Sequence, residues 1–346
     1  MIRIMDTKIF EITSPDCEKI NEVADILKNG GIVAIPTETV YGLAGNALSA
    51  ESAEKIFKAK GRPSDNPFIV HISELSEWDD LVESIPEPAK ELAEKFWPGP
   101  LTIILPKSDK IPLTVSGGLS TVGVRMPSHE IARAIIKKAG IPLAAPSANT
   151  SGKPSPTCAD HVKEDLMGRI DAIVDGGESD VGVESTVISL AVSPPRLFRP
   201  GGITPEMLTE VLGEFVVDDA VYEKLADGTE APSPGMKYKH YSPKAKVTII
   251  KGSFDAFKKY AEENKDDGTY CLLFEGEEKE IDLPSIVYGK KNDPSSQAKH
   301  IFDSLRKLDK ADAKTVFARF PESDGVGLAV FNRLIRASGF NMIEVE

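Results

Sequence analysis

Short β-rich apolar runs alternate with amphipathic stretches along most of this chain, and that alternation restricts it to folds in which helices cover a sheet. Glu18 to Lys28 reads as a helix stopped by Gly30 and Gly31, and the apolar run IVAIP follows it. Ser49 can cap a helix running to Lys60, with Glu51 and Glu54 early, Lys58 and Lys60 late, and Gly61 just past the end. FIVHIS, LTIIL, TVGVRM, IPLAA, DAIVD and STVISL read as strands, and Thr204 before Pro205 marks a helix to Leu212. From Gly213 to about Lys244 the period is lost, and SPGMKYKHYSP has the character of a linker. Beyond it KVTIIKG, YCLLFEG, SIVYG and TVFARF alternate with helical stretches at Phe254–Glu263, Ser295–Leu308 and Val326–Ser338, the pattern of a small parallel sheet with helices on its faces. The expected organisation is an α/β domain over residues 1–212, a linker over 213–244 and a smaller α/β domain over 245–346.

Composition narrows the function. A hydrophobic content of 41% supports a sizeable core, and no apolar run approaches the roughly 20 residues of a membrane helix. The N-terminal stretch is too polar and acidic for a secretion signal, and the three cysteines match no zinc or redox spacing, so a reducing cytoplasm is expected. A net charge of -13 leaves neither half with the basic excess that non-specific nucleic-acid binding needs. Lys55, Lys58, Lys60 and Arg62 form a local basic strip, which also suits the last turn of a helix.

No G-x-x-x-x-G-K-[ST] phosphate loop and no G-x-G-x-x-G turn is present, so a nucleotide would need another constellation. Three clusters could supply it. PTETVYGL (36–43) offers the hydroxyls of Thr37, Thr39 and Tyr41 after a buried strand, although the same threonines suit a locally hydrogen-bonded turn. KGRPSDNP (60–67) sets Lys60 and Arg62 around a glycine with Asn66 nearby; a point charge beside a planar fork suits a polyphosphate, and a plain helix C-cap would use the same residues. APSANTSGKPSP (145–156) carries Ser147, Asn149, Ser151 and Ser155 on an exit from a strand. In TVGVRMP, period-2 alternation puts Thr121, Gly123 and Arg125 on one face, where Arg125 is either a carboxylate ligand or a solvent-facing charge. His71, Ser185 and Arg199 are further candidates, His71 fitting a satisfied core histidine equally well.

Taken together, GGIVAIPTETVYGLAGNA, the Lys60-Gly-Arg62 and Ser147-Ala-Asn149 signatures, WPGPLT, VGVRMP, GVESTVI and RPGG resemble the YrdC-like family. With the linker and second domain, the resemblance extends over the whole chain to the two-domain threonylcarbamoyl-AMP synthases of that family. It implies a YrdC-like mixed twisted sheet with helices, followed by a smaller Rossmann-like parallel α/β domain. It implies a nucleotidyltransferase that converts L-threonine, bicarbonate or CO2, and ATP with Mg2+ into L-threonylcarbamoyladenylate and pyrophosphate. A transferase complex then delivers the product to the tRNA adenosine beside the anticodon. Carried over by residue, Thr37, Thr39, His71, Thr121, Arg125, Ala145 and Ser185 line the threonine site. Lys60, Arg62, Asn66, Ser147, Asn149, Ser155 and Arg199 hold ATP, and Tyr238 belongs to a linker that folds over the site as a lid. The other classes considered are an RNA-binding YrdC-like module, a carbamoyl-transfer enzyme with another acceptor, and a purely regulatory ATP-binding protein, which would release no pyrophosphate.

Overall fold

A computed structural model of the chain describes residues 6–224 and 241–346. The first sheet is built from β1 (Lys8–Glu11), β2 (Val33–Ile35), β3 (Gly42–Asn46), β4 (Ile69–His71), β5 (Leu101–Pro106), β6 (Thr121–Arg125), β7 (Leu143–Ala144), β8 (Ala172–Asp175), β9 (Thr186–Ser189), β10 (Arg196–Arg199) and β11 (Val216–Val217). Its strand order is β1-β8-β2-β3-β7-β4-β6-β5-β9-β10-β11, with parallel and antiparallel neighbours mixed. The helices of this part are α1 (Lys19–Lys28), α2 (Ala50–Lys60), α3 (Glu87–Phe96), α4 (Leu113–Ser116), α5 (Glu130–Ala139), α6 (Ala159–Leu166) and α7 (Pro205–Leu212).

Local signals explain the best-placed elements. The Ser49 hydroxyl accepts the amide of Ser52 at the start of α2, and Gly61 ends that helix at φ 62, a left-handed conformation that costs a glycine little. Thr204 caps α7 in the same way, with Pro205 at its first position. The linker reading is trimmed at its start, because Val216–Val217 adds a short parallel strand to β10.

The two faces of the central strands have different fates. Val70, Leu105, Val122, Val124, Ile103 and Ile188 point into the main core with Leu92, Trp78 and Leu208. Their alternate neighbours Ile69, His71, Thr121, Gly123, Arg125 and Thr102 face the other way, where they line two adjoining cavities. A further core joins α1 and α5 over β1, β8 and β2.

The second sheet contains β12 (Lys246–Lys251), β13 (Thr269–Leu273), β14 (Ser285–Val287), β15 (Thr315–Arg319) and β16 (Met342–Glu344) in the order β14-β13-β15-β12-β16. Every pairing in it is parallel, as the strand–helix alternation predicts. Helices α8 (Phe254–Glu263), α9 (Pro294–Lys310) and α10 (Gly327–Ala337) accompany it. α9 and α10 pack on each other and carry buried arginines into the first domain: Arg306 Nη2 donates to Asp165 Oδ2 at 3.0 Å, and Arg333 Nε donates to Glu184 Oε2 at 2.8 Å. Among the described residues no helix is long and apolar enough to cross a membrane.

Candidate active site

A cleft partly open to solvent runs across the face of β3, β4, β6 and β10 that is turned away from the main core. The three clusters converge on this cleft. Register explains why: His71 on β4 lies beside Arg125 on β6, and a bridge between Gly42 and Ser147 brings the first and third clusters together. The hairpin β2–β3 folds residues 36–41 into a buried loop, so its hydroxyls have to be satisfied internally.

That loop builds one end of the cleft. Thr37 Oγ1 donates to the Val40 carbonyl at 2.6 Å and lies 2.9 Å from Thr39 Oγ1, so the turn-forming role of these threonines and their place in the cleft coexist. Arg125 is 3% exposed, which excludes the solvent-facing alternative. Its Nη1 donates to Thr39 Oγ1 at 2.9 Å, its Nη2 lies 2.7 Å from Glu38 Oε1, and its Nε donates to the Gly99 carbonyl at 3.3 Å. WPGPLT thus supplies one wall of the guanidinium's seat. Burial pushes the Glu38 carboxyl up, but the Arg125 charge and the Ser128 backbone outweigh it and hold Glu38 below its ordinary range. His71 is buried, with Nδ1 3.2 Å from the Ile69 carbonyl. Burial, then the Arg125 charge, depress its pKa to about 3, so it presents a neutral imidazole.

Further cations line the same cleft. Arg199 Nε donates to the Ser185 carbonyl at 3.0 Å and Nη2 to Ser185 Oγ at 3.1 Å; that hydroxyl also lies 2.8 Å from Thr102 Oγ1. Burial lowers the Arg199 pKa to about 10, which leaves the group charged at neutral pH. Gly201 in RPGG is required by close approach, since a Cβ there would lie 2.4 Å from the Thr186 nitrogen and 2.7 Å from the Glu184 carbonyl oxygen. Arg62 lines the cleft with Nη2 donating to the Pro67 carbonyl at 3.0 Å. Ser147 Oγ donates to Asn149 Oδ1 at 2.6 Å, and Asn149 Nδ2 holds the carbonyls of Thr150 and Lys153 at 2.9 Å each.

The structure therefore gathers Thr37, Thr39, His71, Arg125, Ala145, Ser185, Arg62, Ser147, Asn149 and Arg199 around one cleft. Thr121 lines the smaller neighbouring cavity with Thr102 and Gly123. Lys60, Asn66 and Ser155 are buried behind the wall. Lys60 Nζ donates to the carbonyls of Ser147 and Asn149, the latter at 2.6 Å, so its ammonium holds the loop that carries those residues. Burial, then the Arg62 charge, push its pKa well below the usual value. Asn66 Oδ1 meets no hydrogen-bond partner among the described residues, and Ser155 donates to Glu184 Oε1 at 2.5 Å. Tyr238 lies outside the described residues. Sequence reasoning missed Glu38, Lys153, Glu184 and Tyr241. All four stand inside stretches quoted above, Lys153 in 145–156 and Tyr241 in SPGMKYKHYSP, where local pattern gives no sign that they line a cleft.

Residues 25–201 match the family model of Sua5, YciO and YrdC proteins, described as telomere recombination, and residues 203–339 match the model described as the threonylcarbamoyl-AMP synthase C-terminal domain. The chain belongs to the Sua5/YciO/YrdC family, in its two-domain form, and its high-identity relatives are enzymes. Among its relatives is the threonylcarbamoyl-AMP synthase of Pyrococcus abyssi, 46% identical over 94% of this chain and 96% of that one. The threonylcarbamoyl-AMP synthase of Bacillus subtilis is also 46% identical, over 94% of each chain. The crystal structure of P. abyssi Sua5 complexed with L-threonine superposes with a TM-score of 0.89 at 43% identity, covering 98% of this chain and 100% of that one.

Proposed function

We propose that this protein is an L-threonylcarbamoyladenylate synthase, a nucleotidyltransferase that serves threonylcarbamoyladenosine modification of tRNA in the cytoplasm. The observation that carries the reading is one cleft lined both by a rigidly held arginine suited to a carboxylate and by further cations suited to phosphates. Arg125, fixed by Glu38, Thr39 and Gly99, lines the same cleft as Arg199 and Arg62. An amino acid and a nucleotide triphosphate need those two chemistries within reach of one another. The likeness to the threonine-bound P. abyssi protein supports the choice of amino acid.

In this reading Arg125 receives the carboxylate of L-threonine, and Thr39, His71 and Ser185 surround the rest of it. The threonine amine attacks CO2 derived from bicarbonate and loses a proton, giving a carbamate. A carbamate oxygen then attacks the α-phosphorus of ATP, and pyrophosphate leaves. No protein nucleophile takes part, so catalysis comes from positioning and from the charges of Arg199 and Arg62 as the phosphates rearrange. His71, kept neutral, polarises or positions without adding a charge that would compete for the carboxylate. Among the described residues no group of three or more His, Cys, Asp or Glu is placed to hold a metal ion. Mg2+ therefore enters as part of the substrate, MgATP, with phosphate oxygens and water as its ligands. The product passes to a threonylcarbamoyl transferase complex, and tRNA meets this chain only indirectly.

The test follows pyrophosphate release with ATP, Mg2+, bicarbonate and L-threonine, omitting each in turn. Release that requires all of them is expected. Release that continues without threonine would sink the assignment.

A further inference from the structure

α10 presents an unusual surface to the first domain. All of GLAVFNRLIRA is buried, including Asn332, Arg333 and Arg336, and a buried guanidinium is costly unless its donors are met. Arg333 has no solvent exposure, and its donors are met mainly by the first domain. Nε donates to Glu184 Oε2 at 2.8 Å, Nη2 to the Glu184 carbonyl at 3.1 Å and Nη1 to the Pro200 carbonyl at 2.9 Å. Nη1 also donates to Asn332 Oδ1 at 3.0 Å. Its two partners in the first domain directly precede Ser185 in GVES and follow Arg199 in RPGG, so one side chain from the second domain clamps both motifs. The other carboxylate oxygen of Glu184 accepts from Ser155 at 2.5 Å, which links α10 to the loop that carries Asn149. Tyr241, another cleft residue, lies under the same guanidinium at 5.8 Å.

The charges matter as much as the contacts. Glu184 lines the cleft beside Arg199, on the wall where phosphates would lie. A lone carboxylate there would repel a triphosphate. Facing Glu184 are Arg333 from α10, Arg199 from β10, Lys60 from α2, and the hydroxyls of Ser155 and Tyr241. Among these cations Arg333 donates directly to the carboxylate, and its remaining hydrogen bonds go to the Glu184 and Pro200 carbonyls and to Asn332.

We infer that Arg333 is a positioning residue for the nucleotide side of the cleft: from the second domain it seats Glu184 against Ser155 and cancels its charge, leaving Arg199 to act on the phosphates. The inference rests on the reading that ATP binds beside Arg199. It gives the second domain a part in the reaction without any contact of its own to substrate. Burial raises the Glu184 pKa, but the charges of Arg333 and Arg199 and the Ser155 hydroxyl overcome it and bring it down to about 2. Glu184 thus stays ionised over the whole working pH range while Arg333 is present.

The test compares the full-length protein with Arg333→Met, Arg333→Lys, Glu184→Gln and the double variant Arg333→Met/Glu184→Gln. ATP affinity is measured by calorimetry, and the KM values for ATP and threonine by pyrophosphate release. Arg333→Met is expected to weaken ATP on the order of tenfold, with the threonine KM changed by less than about twofold. Adding Glu184→Gln to it removes the unpaired charge and should restore most of that loss. In Arg333→Met alone, ATP binding should improve relative to wild type as pH falls, because Glu184 now protonates in the measurable range. Arg333→Lys keeps the charge but loses the fork that reaches the Glu184 and Pro200 carbonyls, so its ATP affinity should fall between wild type and Arg333→Met. If Arg333→Met does not fold, Glu184→Gln decides alone, with ATP binding expected to tighten. An Arg333→Met protein with a lowered melting temperature but unaltered ATP affinity would overturn the inference, as would ATP and threonine KM values that rise together. A wild-type protein that binds ATP but releases no pyrophosphate would refute the functional reading instead, and the calorimetric affinities would still decide on Arg333.

Discussion

Replacing Lys60 with methionine separates two roles for this residue, because the motif suggests a phosphate ligand and the structure shows a buried strut. Methionine keeps most of the stem's volume and removes the ammonium. The carbonyls of Ser147 and Asn149 then lose their donor. A buried polar group left unmatched costs about 1–3 kcal/mol, so two carbonyls cost about 2–6 kcal/mol. Part of this is offset, since a fully buried ammonium is itself expensive, as its strongly lowered pKa indicates. A net destabilisation of about 2–4 kcal/mol remains, which for a domain of this size lowers the melting temperature by roughly 5–15 °C. The loop carrying Ser147 and Asn149 also loosens, so ATP affinity should fall together with stability. Thermal unfolding by circular dichroism and ATP titration on the same samples provide the check. A Lys60→Met protein with an unchanged melting temperature but lost ATP binding would show that Nζ serves the ligand rather than the loop, and the strut account would fail.

Three further outcomes are expected. The folded His71 pKa is depressed from 6.5 to about 3, so the stability that comes from burying it neutral is complete above pH 6.5 and is lost at about 1.4 kcal/mol per pH unit as pH falls toward 3. Urea unfolding of wild type against His71→Gln at pH 7 and at about pH 5.5 isolates this slope, because His161, raised to about 8, contributes in the opposite direction in both proteins. Arg125→Lys keeps a positive charge against Glu38 but loses the fork, so the threonine KM should rise about tenfold while the ATP KM stays nearly constant in steady-state assays. Serine lacks only a methyl group and should be used with a loss of about 1–3 kcal/mol in kcat/KM, whereas valine, lacking the hydroxyl, should compete far more weakly; similar inhibition by valine would rule out a pocket that reads the hydroxyl.

How far the sequence reaches is clear from particular residues. Ser49, Gly61, Thr204 and Pro205 carry their structural role in their own chemistry, and the helices they bound appear at the expected residues. The parallel second sheet follows from strand–helix alternation, which is likewise local. The short strands β3 and β11 leave weaker traces, since their few residues give no usable period and their pairing is decided by distant neighbours. The site shows the same division. Its motifs name the cleft's main side chains, yet they do not distinguish a group that faces the cavity from one that braces it. Lys60 lies behind the wall because its side chain reaches from the end of α2 to the carbonyls of Ser147 and Asn149, a relation between segments some ninety residues apart. Glu184 escapes a local reading for a similar reason, because its partner Arg333 belongs to the other domain.

The central claim is tested most directly by the mass of the nucleotide product formed from ATP, L-threonine and isotopically labelled bicarbonate. The account predicts an AMP adduct that contains threonine and has taken up the label, formed together with pyrophosphate. A threonyl adenylate without the label, or an unmodified AMP, would contradict it.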